Sequence, residues 1–160
     1  VGNGTIHAVP ATHWSRRGVY DTNCALWAGY YLAHPEASVF FAGDTGMSEH
    51  FAEIRQRLGA PDLALLPIGA YLPRWFMQPQ HIDPAEAVGA LEMLGARNGM
   101  AIHFGTFALG DDGQDQAAAE LERALASASA SFWIPRHGES RDFYRDRGLA
   151  KRQSPAPEIH

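Results

Sequence analysis

The sequence predicts an α/β fold: one mixed sheet with helices packed on a single face. Three observations carry this. From Ser38 onward, short apolar runs alternate with segments of helical period, the pattern of helices layered on a sheet. Strand-like segments without a helix between them come first, so the early strands connect directly and the later ones through helices. Only three helix-length segments occur, enough to cover one face.

The elements follow in order. Thr5–Val9 reads as a short strand stopped by Pro10. Cys24–Leu32 alternates, with Leu26 and Tyr30 on one face and Trp27 and Tyr31 on the other. Ser38–Ala42 is an apolar run ended by the turn signal Gly43-Asp44-Thr45-Gly46. Ser48 is the expected cap of a helix carrying Phe51, Ile54 and Leu58, with Gly59 as its stop. Leu63–Ile68 reads as a buried strand. Asp83-Pro84-Ala85-Glu86 is a helix start with Asp as cap, Pro in the first turn and Glu at the third helical position. Val88, Leu91 and Leu94 give that helix an apolar face, and Gly95 ends it. Met100–Phe104 is a further strand. Gln114 to Ala130 forms a helix with Ala118, Leu121, Leu125 and Ala128 on one side, and Phe132–Pro135 is the last strand. The expected organisation is one unit over 1–140 and a polar, flexible tail over 141–160.

Composition narrows the function classes. Thirteen basic against eighteen acidic residues leave a net charge of −5, which excludes a generally basic nucleic-acid binder. No apolar run approaches the roughly 18 residues of a spanning helix, and the opening residues carry no signal-peptide pattern. Cys24 is the single cysteine, so no intrachain disulfide is possible and a reducing compartment suits it. It sits in the alternating segment and reads as core. The chain opens at Val1 rather than methionine, which gives the expectation of a piece of something longer.

Three potential metal ligands fall at strand ends: His13, Asp44 and His103. Ligands gather at strand carboxyl ends in α/β sheets, and two imidazoles with a carboxylate suit zinc or another borderline divalent ion. Each residue alone also fits a satisfied structural role, Asp44 as a turn residue among them. The loop Gly69–Ile82 concentrates Tyr71, Trp75, Phe76 and Met77 beside Arg74, Gln80 and His81. It reads equally as a pocket wall or as a loop packed on its own sheet. His137 reads as a turn residue, and His7, His34, His50 and His160 show no partner pattern.

The segments PATHWSRRGVYDTNCALWAGY, FFAGDTG, DLALLPIGAYLPRWFMQPQHIDPAEAV and AIHFGTFAL resemble the metallo-β-lactamase superfamily. Within it they are most similar to the N-acyl-phosphatidylethanolamine-hydrolysing phospholipase D branch and its bacterial relatives. The resemblance spans Val9 to Ser140. It implies the carboxy-terminal half of an αββα sandwich, in which two sheets pack face to face. It implies His13 as a ligand of a first zinc, Asp44 as the carboxylate bridging two zinc ions, and His103 as a ligand of the second. Gln80 and His81 would line the phosphate pocket, with Asp44 and His81 as the catalytic residues. Two such ions about 3.5–4 Å apart activate a bridging hydroxide and neutralise phosphoryl charge. The superfamily's His-x-His-x-Asp-His motif does not occur in this sequence.

The resemblance therefore implies part of a zinc-dependent hydrolase of phosphodiesters such as N-acyl-phosphatidylethanolamine-type phospholipids, with two zinc ions in the full-length parent, zinc partial or absent in this chain, and no activity without the missing half. Other hydrolases of the superfamily, lactonases or sugar-phosphate hydrolases, are the alternative. A non-catalytic module linked to outer-membrane protein expression, as some bacterial relatives are described, is a third. Expected partners are the absent amino-terminal half of the fold, a phospholipid or small phosphodiester, and a second copy of the chain. That copy would dock on the bare sheet face, through residues such as Leu26 or Trp27, Phe40 or Phe41, Leu65 or Leu66, and Ile102. The expected location is cytoplasmic or membrane-peripheral.

Overall fold

Six strands, β1 (Thr5–Val9), β2 (Gly29–Ala33), β3 (Ser38–Phe41), β4 (Leu63–Pro67), β5 (Asn98–Ile102) and β6 (Ser131–Trp133), form one sheet in chain order. The computed structural model describes residues 3–143, so the tail expected over 141–160 lies outside the described residues from position 144 onward. The helices are α1 (His50–Leu58), α2 (Arg74–Met77), α3 (Pro84–Leu94) and α4 (Gln116–Leu125). The mixed α/β architecture is the one the sequence predicts.

Strand direction decides where the loops emerge. β1 and β3 are both antiparallel to β2, so they run the same way. β4, β5 and β6 then follow β3 in parallel. The carboxyl ends of β1, β3, β4 and β5 therefore share one edge, and the loops bearing His13, Asp44, His81 and His103 all leave from it.

Alternation along the strands separates the faces. Tyr31, Phe40, Ala64, Leu66 and Ala101 point into the core with Phe51, Ile54, Leu91, Leu94 and Leu121 from α1, α3 and α4. The opposite face carries a cross-strand row set by the register: Ala8, Tyr30, Phe41, Leu65, Met100 and Trp133. Tyr30 is 50% and Phe41 40% exposed, which is bulk that α1, α3 and α4 leave uncovered.

α3 begins as the sequence reads. Asp83 Oδ1 accepts from Glu86 N–H at 2.8 Å, Glu86 Oε2 accepts from Asp83 N–H at 2.9 Å, and Gly95 closes the helix in the left-handed conformation. Other expectations are corrected. The strand expected over Cys24–Leu32 starts only at Gly29. Residues before it form an open loop in which Cys24 is exposed rather than core and Leu26 is 97% exposed. Ser48 does not cap α1: the capping position is Glu49, without a side-chain bond, because the Ser48 hydroxyl is engaged with His50 and Thr12 instead. The loop Gly69–Ile82 contains the one-turn helix α2, and α4 is shorter than its apolar period suggests.

Candidate functional site

His13 lies beyond β1, past Pro10. Its Nδ1 donates to the Trp14 carbonyl at 2.7 Å, which in the neutral ring selects the tautomer with its lone pair on Nε2. That Nε2 is buried and has no hydrogen-bond partner. An imidazole held through Nδ1 by a backbone carbonyl, with Nε2 free, is oriented as metal-binding histidines are.

Asp44 follows β3 through Gly43, whose φ of 65° turns the chain at the strand end. His103 is the first residue past β5 and itself adopts φ 58°, a conformation uncommon for a residue with a Cβ and concentrated at functional positions. The turn brings His103 Nε2 to 3.5 Å from Asp44 Oδ1. Nδ1 of His103 is buried without a partner. Gly69 at the end of β4 passes directly against the His103 carbonyl, where a Cβ would clash with it.

His81 completes the group. Its ring meets His13 edge-on at 5.2 Å and stacks on His103 at 5.6 Å. Its Nδ1 is a further buried atom without a partner. Burial, chiefly, pushes its pKa down to about 4, with the neighbouring imidazoles lowering it further against the opposing pull of Asp44. His81 is therefore neutral at pH 7. Arg74 anchors this segment: it donates to the His81 carbonyl at 3.0 Å and to Glu86 at 2.8 Å, tying the loop to the first turn of α3.

One turn connects these loops. Thr45, fully buried, accepts from Thr12 N–H at 2.9 Å through Oγ1 and from Ile82 N–H at 2.9 Å through its carbonyl. Gly46 N–H donates to Thr12 O at 2.8 Å. Gly46 also touches the Pro79 backbone so closely that no Cβ fits there. The segments of His13 and His81 are thus both hydrogen-bonded to the turn that bears Asp44.

The four side chains border one open cavity of about 210 Å³, with Gln80 at its side and Trp14, Phe76, Met77 and Leu109 as an apolar rim. The Gln80 amide donates to the Phe76 carbonyl at 3.1 Å, so its oxygen is the end free to meet a ligand. All five sequence-predicted residues, His13, Asp44, Gln80, His81 and His103, therefore meet at this cavity. Among the described residues, no three His, Cys, Asp or Glu side chains form a group that could hold a metal ion. The residue types around the cavity, three imidazoles and one carboxylate, are ones that a borderline divalent cation takes.

Sequence reasoning missed the rim residues Trp14 and Leu109 and the anchoring role of Arg74. Neither a solitary aromatic beside a histidine nor an arginine twelve residues before its partner glutamate leaves a periodic signal.

Comparison with known proteins gives concordant results. Residues 1–104 match a family model described as a Beta-lactamase superfamily domain. The chain is 45% identical over 107 residues to N-acyl-phosphatidylethanolamine-hydrolyzing phospholipase D 1 of Caenorhabditis elegans, covering 66% of this chain and 30% of that protein. It is 35% identical over 101 residues to Outer membrane protein RomA of Klebsiella pneumoniae, covering 63% of this chain and 74% of that one. Among solved structures it is similar to Igni18, a metallo hydrolase of Ignicoccus hospitalis, with 27% identity and a TM-score of 0.61 over 85% of this chain and 51% of that chain. The chain thus spans under a third of the worm phospholipase and about half of Igni18.

Proposed function

The chain belongs to the metallo-β-lactamase superfamily, a family of metal-dependent hydrolases, and from that premise we propose that it contributes part of a hydrolytic site for phosphodiesters. The single observation that carries the reading is the convergence of unpartnered, buried imidazole nitrogens of His13, His81 and His103 on a cavity shared with Asp44. Buried polar atoms without protein partners are rare in folded proteins, and three imidazole nitrogens beside one carboxylate are donors of the kind that a cation takes.

In this reading His13 Nε2, the Asp44 carboxylate and a His103 nitrogen hold zinc. When bound, the metal supplies Lewis-acid neutralisation of phosphoryl charge and lowers the pKa of water. The remaining ligands come from outside these residues, since two imidazoles and a share of a carboxylate fall short of the usual coordination of a catalytic zinc. His81, neutral and wedged between the other two rings, presents a hydrogen-bonding nitrogen toward the phosphoryl group. Gln80 offers its amide oxygen beside it, to a hydroxyl or ammonium group of the substrate. Trp14, Phe76, Met77 and Leu109 keep the approach apolar, which favours a substrate with a hydrocarbon arm, such as a phospholipid, over a free sugar phosphate.

No helix among the described residues is long and apolar enough to cross a membrane.

The experiment is zinc titration of the purified chain by calorimetry, with hydrolysis of bis(p-nitrophenyl) phosphate in parallel. The reading expects zinc binding that Asp44→Asn and His13→Ala each weaken at least tenfold, and little hydrolysis by the chain alone. Wild-type binding no tighter than that of the double variant would overturn it.

A further inference from the structure

His50 opens α1, is 6% exposed, and plays no part in the site described above. Its surroundings form a closed ring of polar groups. His50 Nδ1 lies 2.5 Å from Ser48 Oγ. Ser48 Oγ lies 3.0 Å from Thr12 Oγ1. Thr12 N–H donates to Thr45 Oγ1 at 2.9 Å, and Thr45 Oγ1 faces His50 Nε2 at 3.5 Å. Two members of this ring are chain neighbours of site residues: Thr12 precedes His13, and Thr45 follows Asp44.

Hydrogen-bond geometry and burial together place the protons in the ring. Thr45 has one hydroxyl proton, and it goes to the Gly46 carbonyl at 3.0 Å. Toward His50 its oxygen can only accept, so His50 carries a proton on Nε2. Burial lowers the His50 pKa to about 4 and keeps the ring neutral at pH 7. Nδ1 of the neutral ring is an acceptor and takes the Ser48 hydroxyl proton, and the Ser48 oxygen in turn accepts from Thr12 Oγ1.

We propose that His50 is a positioning residue: its Nε2–H tautomer, wedged between Ser48 and Thr45, fixes the seam between the Thr12 and Thr45 backbones and so sets His13 against Asp44. It touches neither of them and no substrate. The ring has no slack, because losing the Nδ1 acceptor frees Ser48, and a freed Ser48 no longer orients Thr12. As far as it concerns metal affinity, the proposal rests on the reading of His13 and Asp44 as ligands.

The test compares His50→Ala, His50→Gln and Ser48→Ala with Ile54→Val, which trims a buried side chain on the same helix. The first readout needs no metal: long-range ¹H–¹⁵N spectra of the imidazole rings in the metal-free chain. The expected result is His50 as the Nε2–H tautomer. His13 ring signals should move in His50→Ala and Ser48→Ala, return toward wild type in His50→Gln, and stay fixed in Ile54→Val. The second readout is affinity for Zn²⁺, expected to fall about 10- to 100-fold in His50→Ala, as for other groups that orient ligands, and to hold within about twofold in Ile54→Val if burial loss alone is not the cause. Should His50→Ala fail to fold, Ser48→Ala cuts the same link. A His50 found as the Nδ1–H tautomer, or His13 signals unmoved in both disruptive variants, would overturn the proposal. A wild type that takes up no zinc while its His13 signals still respond to His50 supports the positioning role and overturns only the metal reading.

Discussion

Replacing Thr45 by valine exchanges one hydroxyl for one methyl group at almost constant shape, at a side chain with no solvent exposure. Accounting by apolar burial alone predicts a small gain, since valine buries more hydrocarbon. The hydrogen bonds predict the opposite. The Thr12 N–H loses its acceptor at 2.9 Å and the Gly46 carbonyl its donor at 3.0 Å. Two groups left unsatisfied, each near the lower end of ~1–3 kcal/mol, cost roughly 3 kcal/mol together, and the added methyl returns at most ~0.8 kcal/mol. The net loss is about 2 kcal/mol. For a domain of this size each kcal/mol lowers Tm by ~2–4 °C, so the expected drop is ~4–8 °C. Thr45→Ser is the matched control: it keeps the hydroxyl and gives up a methyl group, at about 1 kcal/mol. Thermal unfolding followed by circular dichroism reads both. The reasoning fails if Thr45→Val melts at or above the wild-type temperature, or if the serine variant is the less stable of the two.

Three further outcomes follow from the same structure. The folded-state pKa of His50 lies near 4, below its ordinary 6.5, so the unfolded chain binds the proton first. Its contribution is complete above about pH 6.5 and is lost as pH falls toward 4, amounting to ~2 kcal/mol after allowance for solvent screening. Urea unfolding of wild type and His50→Gln at pH 7 and pH 4 checks this: the gap between them should narrow at pH 4, and a constant gap would count against it. Asp83→Ala removes the cap of α3 and one of the carboxylates beside Arg74, 3.7 Å from its Nε. It should cost ~1–2 kcal/mol and broaden the His81 ring signals; a Tm unchanged within 1 °C would contradict the capping role. The row Tyr30, Phe41, Leu65, Met100 and Trp133 leaves an apolar sheet face on which Tyr30 and Phe41 are exposed, and contiguous exposed apolar surface marks a contact face. Sedimentation at micromolar concentration should show a dimer that Phe41→Lys dissociates, whereas a stable wild-type monomer would refute pairing through this face.

Much of this architecture was readable from residue order. The capping box at Asp83 and Glu86 and the stops at Gly59 and Gly95 are local chemistry, satisfied by residues a few positions apart. The end of β3 was marked by the Gly43-Asp44-Thr45-Gly46 turn after it, whereas the strand expected over Met100–Phe104 runs from Asn98 to Ile102, which puts His103 just past the strand rather than within it. Gly29 shows where local pattern fails: the alternation of Cys24–Leu32 is real, but strand pairing begins only where Val9 supplies a partner. Ser48 failed as a cap for a tertiary reason. Its hydroxyl has a choice between the helix end and a histidine–threonine pair, and Thr12 lies 36 positions away. The closure of His13 on His81 was likewise invisible to spacing, because it depends on Thr45 bonding to two loops that are remote in sequence.

The central proposal is that a divalent cation would be shared by His13, Asp44 and His103 at the cavity they line. The most direct measurement is a crystal of the chain soaked in zinc and examined by anomalous scattering at the zinc edge. The account predicts a peak within ~2.0–2.2 Å of His13 Nε2 or a His103 nitrogen and of an Asp44 oxygen. A zinc peak found only at surface histidines such as His34 or His137, with the cavity between His13 and His103 empty at saturating zinc, would contradict it.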